Sequence, residues 1–108
     1  MTNDSLPQAV ADFFAATNTD DRNRFLAAFA DDAVLDDWGH VYAGKDAIAG
    51  WNARENIGVN SRIEVTGVER SGDEIRVGVS VSGDGYNGGG AFTFVLAGDR
   101  IARMVITG

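Results

Sequence analysis

The feature that most constrains the fold is a two-residue alternation of apolar and polar side chains after Ser61. Alternate side chains of a strand point to opposite faces, so the pattern predicts strands with one buried face. Turns at Ser71–Asp73 and Gly98–Asp99 divide this half into a four-stranded antiparallel meander. The apolar positions include Ile63, Val65, Ile75, Val77, Val79, Val81, Phe92, Phe94 and Leu96, with Ala102, Met104 and Ile106 expected on one face of the last strand.

The first half carries apolar residues at the three- and four-residue spacing of helices. "DSLPQAVADFFAATNT" predicts one helix, with Ser5 as its N-cap and Gln8 completing a capping box. "NTDDRNRFLAAFADD" predicts a second helix that is capped by Thr19 or Asp20 and ends near Ala30.

Two short extended pieces, Ala33–Asp36 and His40–Ala43, follow the second helix, and "KDAIAGWNAREN" after Gly44 predicts a third helix. Helices followed by a meander are typical of an α+β fold. The expected core between helices and sheet consists of Phe13, Phe14, Phe25, Phe29, Ile48, Val77, Val79, Phe92 and Phe94.

Composition and net charge limit the partners and the kinds of site that this chain can have. A chain of 108 residues predicts a single domain over 1–108, and its net charge of -7 argues against nucleic acid and anionic membranes as partners. With no cysteine and one histidine, disulfides, thiolate chemistry and a His-rich zinc site are excluded. An all-carboxylate magnesium or calcium site is left open, but no pattern of residues supports one, and no metal is expected. "MTNDSLPQAV" lacks the features of a signal peptide, and no apolar run reaches membrane-spanning length, so we expect a soluble, cytoplasmic protein.

"GDGYNGGG", residues 83–90, matches the G-x-G-x-x-G pattern of dinucleotide-binding loops. That motif requires a strand before it and a helix after it, whereas a strand is predicted after this one. The segment therefore predicts a wide, flexible hairpin, and no cofactor is expected.

The order of elements, together with "LAAFADDAVLDD" and "YAGKDAIAGW", resembles the nuclear transport factor 2-like superfamily, in its SnoaL-like and ketosteroid-isomerase-like branch. The resemblance covers essentially the whole chain. It implies a cone-shaped roll, in which a curved, mostly antiparallel sheet wraps around three N-terminal helices and leaves an apolar pocket. The fold hosts isomerases, cyclases, epoxide hydrolases, dehydratases and noncatalytic modules, so it does not fix the reaction.

The resemblance also implies a base carboxylate at Asp37, just after the first strand. Asp36 should point to the opposite face and lie in solvent. A competing interpretation makes Asp37 a turn-capping residue in "DDWG". His40 is either a proton shuttle or donor beside Asp37, or an ordinary surface residue.

Five aromatic side chains are candidates for binding a ligand: Phe13, Trp38, Tyr42, Trp51 and Phe92. Phe13 stands where the isomerases have a phenol donor, and the strand around Gly90–Phe92 offers no carboxylic acid. Losing one oxyanion donor costs on the order of a hundredfold in rate, so steroid isomerisation is not expected.

Two functions stay open. The chain is either a SnoaL-like enzyme or enzyme relic that moves a proton on an apolar, cyclic ligand, or a noncatalytic ligand-binding or dimerisation module. A homodimer is expected through the outer face of the sheet, where Val68, Val95 and Val105 leave apolar side chains available.

Overall fold

The computed structural model describes residues 6–108, which form three α-helices and six strands. The helices are α1 (Gln8–Asn18), α2 (Arg22–Ala27) and α3 (Lys45–Glu55), and a short 3-10 helix, Ile57–Val59, follows α3. The strands are β1 (Phe29–Asp37), β2 (His40–Ala43), β3 (Arg62–Ser71), β4 (Glu74–Ser82), β5 (Gly88–Ala97) and β6 (Arg100–Thr107). The predicted α+β fold class is confirmed.

The six strands form one curved sheet in the order β2-β1-β6-β5-β4-β3. The predicted meander from β3 to β6 is present, and its neighbouring strands are antiparallel. β1 adds to the free side of β6 as a parallel neighbour, with Leu35 opposite Met104. This pairing was not predicted, because a local pattern of side chains does not identify a partner strand that lies far away in sequence.

Two irregularities change which side chains face the helices. The register of β3 and β4 shifts between Val65 and Gly67, so Val68 packs against the core instead of lying on the outer face as predicted. A second shift in the β5–β6 pairing buries Ile101 and leaves Ala102, which was expected on one face with Met104 and Ile106, only half-buried. Val95 and Val105 are half-buried.

The core lies between the helices and the inner face of the sheet, and all nine predicted core residues are buried. Phe13 lies at its centre and is fully buried. Its ring centroid lies 5.1 to 6.1 Å from those of Phe14, Phe25, Phe29, Phe92 and Phe94. Aromatic pairs at this separation add to the free energy that burial itself supplies.

The helix ends differ from the predictions. Ser5 lies outside the described residues, Pro7 is the N-cap of α1, and the Gln8 side chain donates to Asp12 Oδ1 at 2.9 Å. Asp21, and not Thr19 or Asp20, caps α2 by accepting a hydrogen bond from the Arg24 backbone N–H.

The second helix ends at Ala27, three residues before the predicted end, because Phe29 already begins β1. β1 is therefore longer than the predicted strand Ala33–Asp36. None of the helices within residues 6–108 has the length and apolar character that a membrane crossing requires.

Candidate functional site

A cavity of about 310 Å³ opens between the C-terminal half of α3 and the end of the sheet where β1 and β6 finish and β3 begins. Its apolar wall consists of Trp38, Trp51, Ile63, Val79, Val81, Phe92 and Ile106, with Gly89 and Gly90. Its polar side chains are those of Asp37, His40, Glu55, Asn56, Ser61, Tyr86 and Thr107. A mostly apolar wall with a few polar groups is typical of a small-molecule site, and the volume lies at the small end of such sites.

Asp37 lies at the end of β1 on the cavity side. Leu35, two residues earlier, is fully buried in the core, so the alternation of the strand carries Asp37 to the same face. The Trp51 indole N–H donates to Asp37 Oδ2 at 3.0 Å. Trp51 is itself almost fully buried and stacks on Phe25, so it holds the carboxylate in one orientation.

Asp36 has the capping role that the competing interpretation gave to Asp37. Its Oδ1 accepts a hydrogen bond from the Gly39 N–H at 2.8 Å. Trp38 and Gly39 both have positive φ, of 53° and 89°, as a two-residue hairpin turn of this kind requires. The Asp37 carboxylate is thus left available to the cavity.

His40 is the cross-strand partner of Asp37 at the start of β2, and it is exposed where it lines the cavity. Trp38 is 64% exposed and lies in the wall beside Asp37. Phe92 and Trp51 are buried behind the cavity surface.

Phe13 and Tyr42 are not brought to the cavity. Phe13 is enclosed by other phenylalanines in the core and does not line the cavity, whereas its neighbour Phe92 does. Tyr42 carries the Arg54 guanidinium 5.9 Å from its ring centroid. The sequence pattern did not predict these positions because an apolar residue that faces inward can lie in a packed core as well as in a pocket.

Sequence reasoning missed a buried polar network at the end of α3. Asn56 Nδ2 donates to Thr17 Oγ1 and to Asn52 Oδ1, both at 3.0 Å, and Asn52 Oδ1 also accepts from the Ile57 N–H. Two asparagines four residues apart at a helix end were a usable signal, since such side chains meet on one face. Ser61 follows in the cavity wall, where it is 2% exposed.

The Tyr86 hydroxyl donates to the Gly89 carbonyl at 2.7 Å, which holds the glycine-rich hairpin against the cavity. Within residues 6–108 no three His, Asp or Glu side chains are grouped to hold a metal ion. The chemistry that the cavity can offer is therefore that of carboxylate, imidazole, hydroxyl and carboxamide groups against apolar walls.

The model of the SnoaL-like domain matches residues 10–104. The chain belongs to this family. A search of curated proteins gives no significant match. The family assignment rests on the domain match.

One similar structure is that of the Sinorhizobium meliloti protein SMa1630, which was provisionally described as a polyketide cyclase. It is 28% identical to this chain, the alignment covers 99% of this chain and 100% of SMa1630, and the TM-score is 0.86. Mycobacterium tuberculosis RV0760c in complex with estradiol-17beta-hemisuccinate is 20% identical, with coverage of 91% and 88% and a TM-score of 0.81. Delta 5-3-ketosteroid isomerase from a Mycobacterium species is 21% identical, with coverage of 93% and 89% and a TM-score of 0.78. The last two establish a shared fold and no more.

Proposed function

We propose that this SnoaL-like chain binds a small, apolar, cyclic carbonyl compound in the cavity and transfers a proton with Asp37 as the base. The observation that carries the proposal is the Trp51 to Asp37 hydrogen bond, which orients a carboxylate in a mostly apolar wall. Two neighbours of the same fold are described as a polyketide cyclase and a ketosteroid isomerase, which supports a cyclic ligand as the class.

In the proposed step, an Asp37 carboxylate oxygen removes a proton from the carbon next to the carbonyl group. The C–H bond breaks, its electron pair forms the enolate, and the new O–H bond forms on Asp37. Return of the proton to another carbon completes an isomerisation. His40, across the β1–β2 pair from Asp37, is the group that we assign as a proton shuttle or donor.

The test uses 2-tetralone, a bicyclic ketone with acidic protons beside its carbonyl group. Its hydrogen–deuterium exchange in D₂O is followed by NMR in the presence of the protein. Asp37→Asn is expected to slow protein-dependent exchange by about a hundredfold or more, because a general base contributes at least that much. Asp36→Asn is the matched control, since asparagine can still cap the turn.

A second function is favoured by one observation within residues 6–108: the positions that match the isomerases' oxyanion donors hold Phe13 and the stretch from Gly90 to Phe92, which supply no phenol or carboxyl group. Phe13 lies in the core, and the Tyr86 hydroxyl is already bound to Gly89. Tight binding of 2-tetralone without exchange would favour a noncatalytic ligand-binding module, whereas protein-dependent exchange that survives in Asp37→Asn would contradict Asp37 as the base.

We also propose a homodimer through the outer face of the sheet. Val95 and Val105 remain half-buried there in the isolated chain, and Val41 on the edge strand β2 is 61% exposed. Covering apolar side chains would stabilise such a pair. Sedimentation velocity at high micromolar concentration should give about twice the 11.4 kDa mass of one chain. A species of one chain only would contradict the dimer.

A further inference from the structure

The network at the end of α3 leaves one strong acceptor without a partner. The Ile57 backbone N–H can only donate, so the atom that it reaches on Asn52 is the carbonyl oxygen, Oδ1. The Asn56 atom that contacts the same oxygen must then be the amide nitrogen. The orientation of the Asn56 carboxamide is therefore determined by a backbone group, and its Oδ1 points away from Thr17 and Asn52.

No donor within residues 6–108 reaches Asn56 Oδ1, although Asn56 is only 3% exposed and lies in the cavity wall. Every fully enclosed side-chain oxygen or nitrogen among these residues has a hydrogen-bond partner. Asn56 Oδ1 has none, so it retains some accessible surface at the cavity. A ligand donor that reaches this acceptor gains a hydrogen bond without first breaking one within the described residues.

Ser61 adds a second polar atom beside the first. Its backbone N–H donates to the Asn56 carbonyl at 3.1 Å, which ties the two residues together. Its side chain is 2% exposed, lines the cavity and makes no hydrogen bond within residues 6–108. A hydroxyl group can donate to a carboxamide oxygen and accept from a serine hydroxyl at the same time.

We propose that Asn56 and Ser61 form a specificity site for a ligand hydroxyl group in the cavity that Asp37 also lines. Trp51, which holds Asp37, lies on α3, and Asn56, the C-cap of α3, is five residues further on, or about 7 Å along the helix axis. The ligand class is thus a cyclic ketone that carries a hydroxyl group on its ring system at a distance from the carbonyl group. This inference rests on the proposed function and names its substrate class.

The test compares 6-hydroxy-2-tetralone with 6-methoxy-2-tetralone, which differ in the ability to donate a hydrogen bond. Isothermal titration of the unaltered protein should give about tenfold tighter binding of the hydroxy compound. The side-chain amide signals of Asn56 in ¹⁵N-edited NMR should shift with the hydroxy compound and stay in place with the methoxy compound. Asn56 itself is left unmutated because its amide nitrogen holds α1 to α3 through Thr17.

Ser61→Ala should weaken binding of the hydroxy compound about threefold, since one of its two hydrogen bonds is lost. Ser80→Ala, on an exposed position of β4, is the control and should keep the full affinity. Equal affinity of the two compounds, with unmoved Asn56 signals, would overturn the specificity site and leave proton transfer by Asp37 untouched. Failure of both compounds and of 2-tetralone to bind would overturn the site and the proposed function together.

Discussion

The two ends of the inner face of the sheet contrast sharply. Along β5, the positions that face the helices are Phe94, Phe92, Gly90 and Gly88 in turn, paired with Ile75, Val77, Val79 and Val81 of β4. At the Phe94 end the phenylalanine cluster fills the space, whereas at the glycine end the cavity opens. One strand therefore forms both a core and a pocket, and the volume of its inward side chains determines which is formed.

The largest expected effect is a difference in the free energy of unfolding between substitutions at the two ends. Phe13→Ala at the filled end should lower the free energy of unfolding by about 3–5 kcal/mol, since it leaves a cavity among five aromatic rings. Val81→Ala, in the wall of the open end, should cost about 1 kcal/mol, because its side chain already borders empty space. Urea denaturation measures both. Similar losses would remove the distinction between core and pocket.

The next effect tests whether Trp51 belongs to the open end as well as to the core. Trp51→Phe keeps an aromatic ring near Phe25 but removes the indole donor to Asp37. We expect 2-tetralone exchange to slow about tenfold, because a hydrogen bond to a charged group is lost and the carboxylate is no longer held. Trp38→Phe, which removes an indole with no hydrogen bond to Asp37, is the control and should retain most of the exchange rate. Unchanged exchange in Trp51→Phe would leave Trp51 as a packing residue only.

A smaller effect concerns the outermost part of the open end. Trp38 is 64% exposed, so Trp38→Ala should change the urea midpoint little, and 2-tetralone affinity should fall a few-fold through lost apolar contact. Titration calorimetry measures the affinity. The turn also requires a positive φ at residue 38, which glycine adopts readily. Trp38→Gly therefore removes the ring without straining the backbone, and comparison with Trp38→Ala separates the two effects. Full affinity in both variants would exclude Trp38 from ligand binding.

The smallest effect lies outside both ends, between α1 and α2. Arg24 donates to Asp12 Oδ1 at 2.7 Å, and this hydrogen bond lowers the pKa of the Asp12 carboxyl below its ordinary value of 3.8, while burial opposes the shift. A lowered folded-state pKa stabilises the fold above the unfolded-state pKa, and the contribution disappears as the pH falls through the folded-state value.

Asp12→Asn should therefore lower the free energy of unfolding by about 0.5 kcal/mol or less at pH 6, as is usual for an exposed pair. The difference between parent and variant should shrink as the pH falls below the ordinary Asp12 pKa of 3.8, as measured by urea denaturation over a series of acidic pH values. A difference that stays constant with pH would assign the effect to helix propensity instead of the ion pair.

Much of the site was predictable where one strand or helix determines the position of a residue. The alternation from Leu35 to Asp37 indicated which carboxylate faces inward, because side-chain direction in a strand is local. The same reasoning did not separate Phe13, in the core, from Phe92, in the cavity wall. It also could not find Asn56 and Ser61 as a pair, because no regular helix or strand spans both residues and the Thr17 partner of Asn56 lies on α1, far away in sequence.

The sequence by itself determined the element order, the meander, the core phenylalanines and the inward direction of Asp37, since periodicity and turn residues act over a few neighbouring residues. The tertiary structure alone decided that β1 lies parallel to β6, that bulges turn Val68 inward, and that Trp51 holds the Asp37 carboxylate. These features join segments that are distant along the chain, and their relative positions depend on how the whole inner face of the sheet is filled.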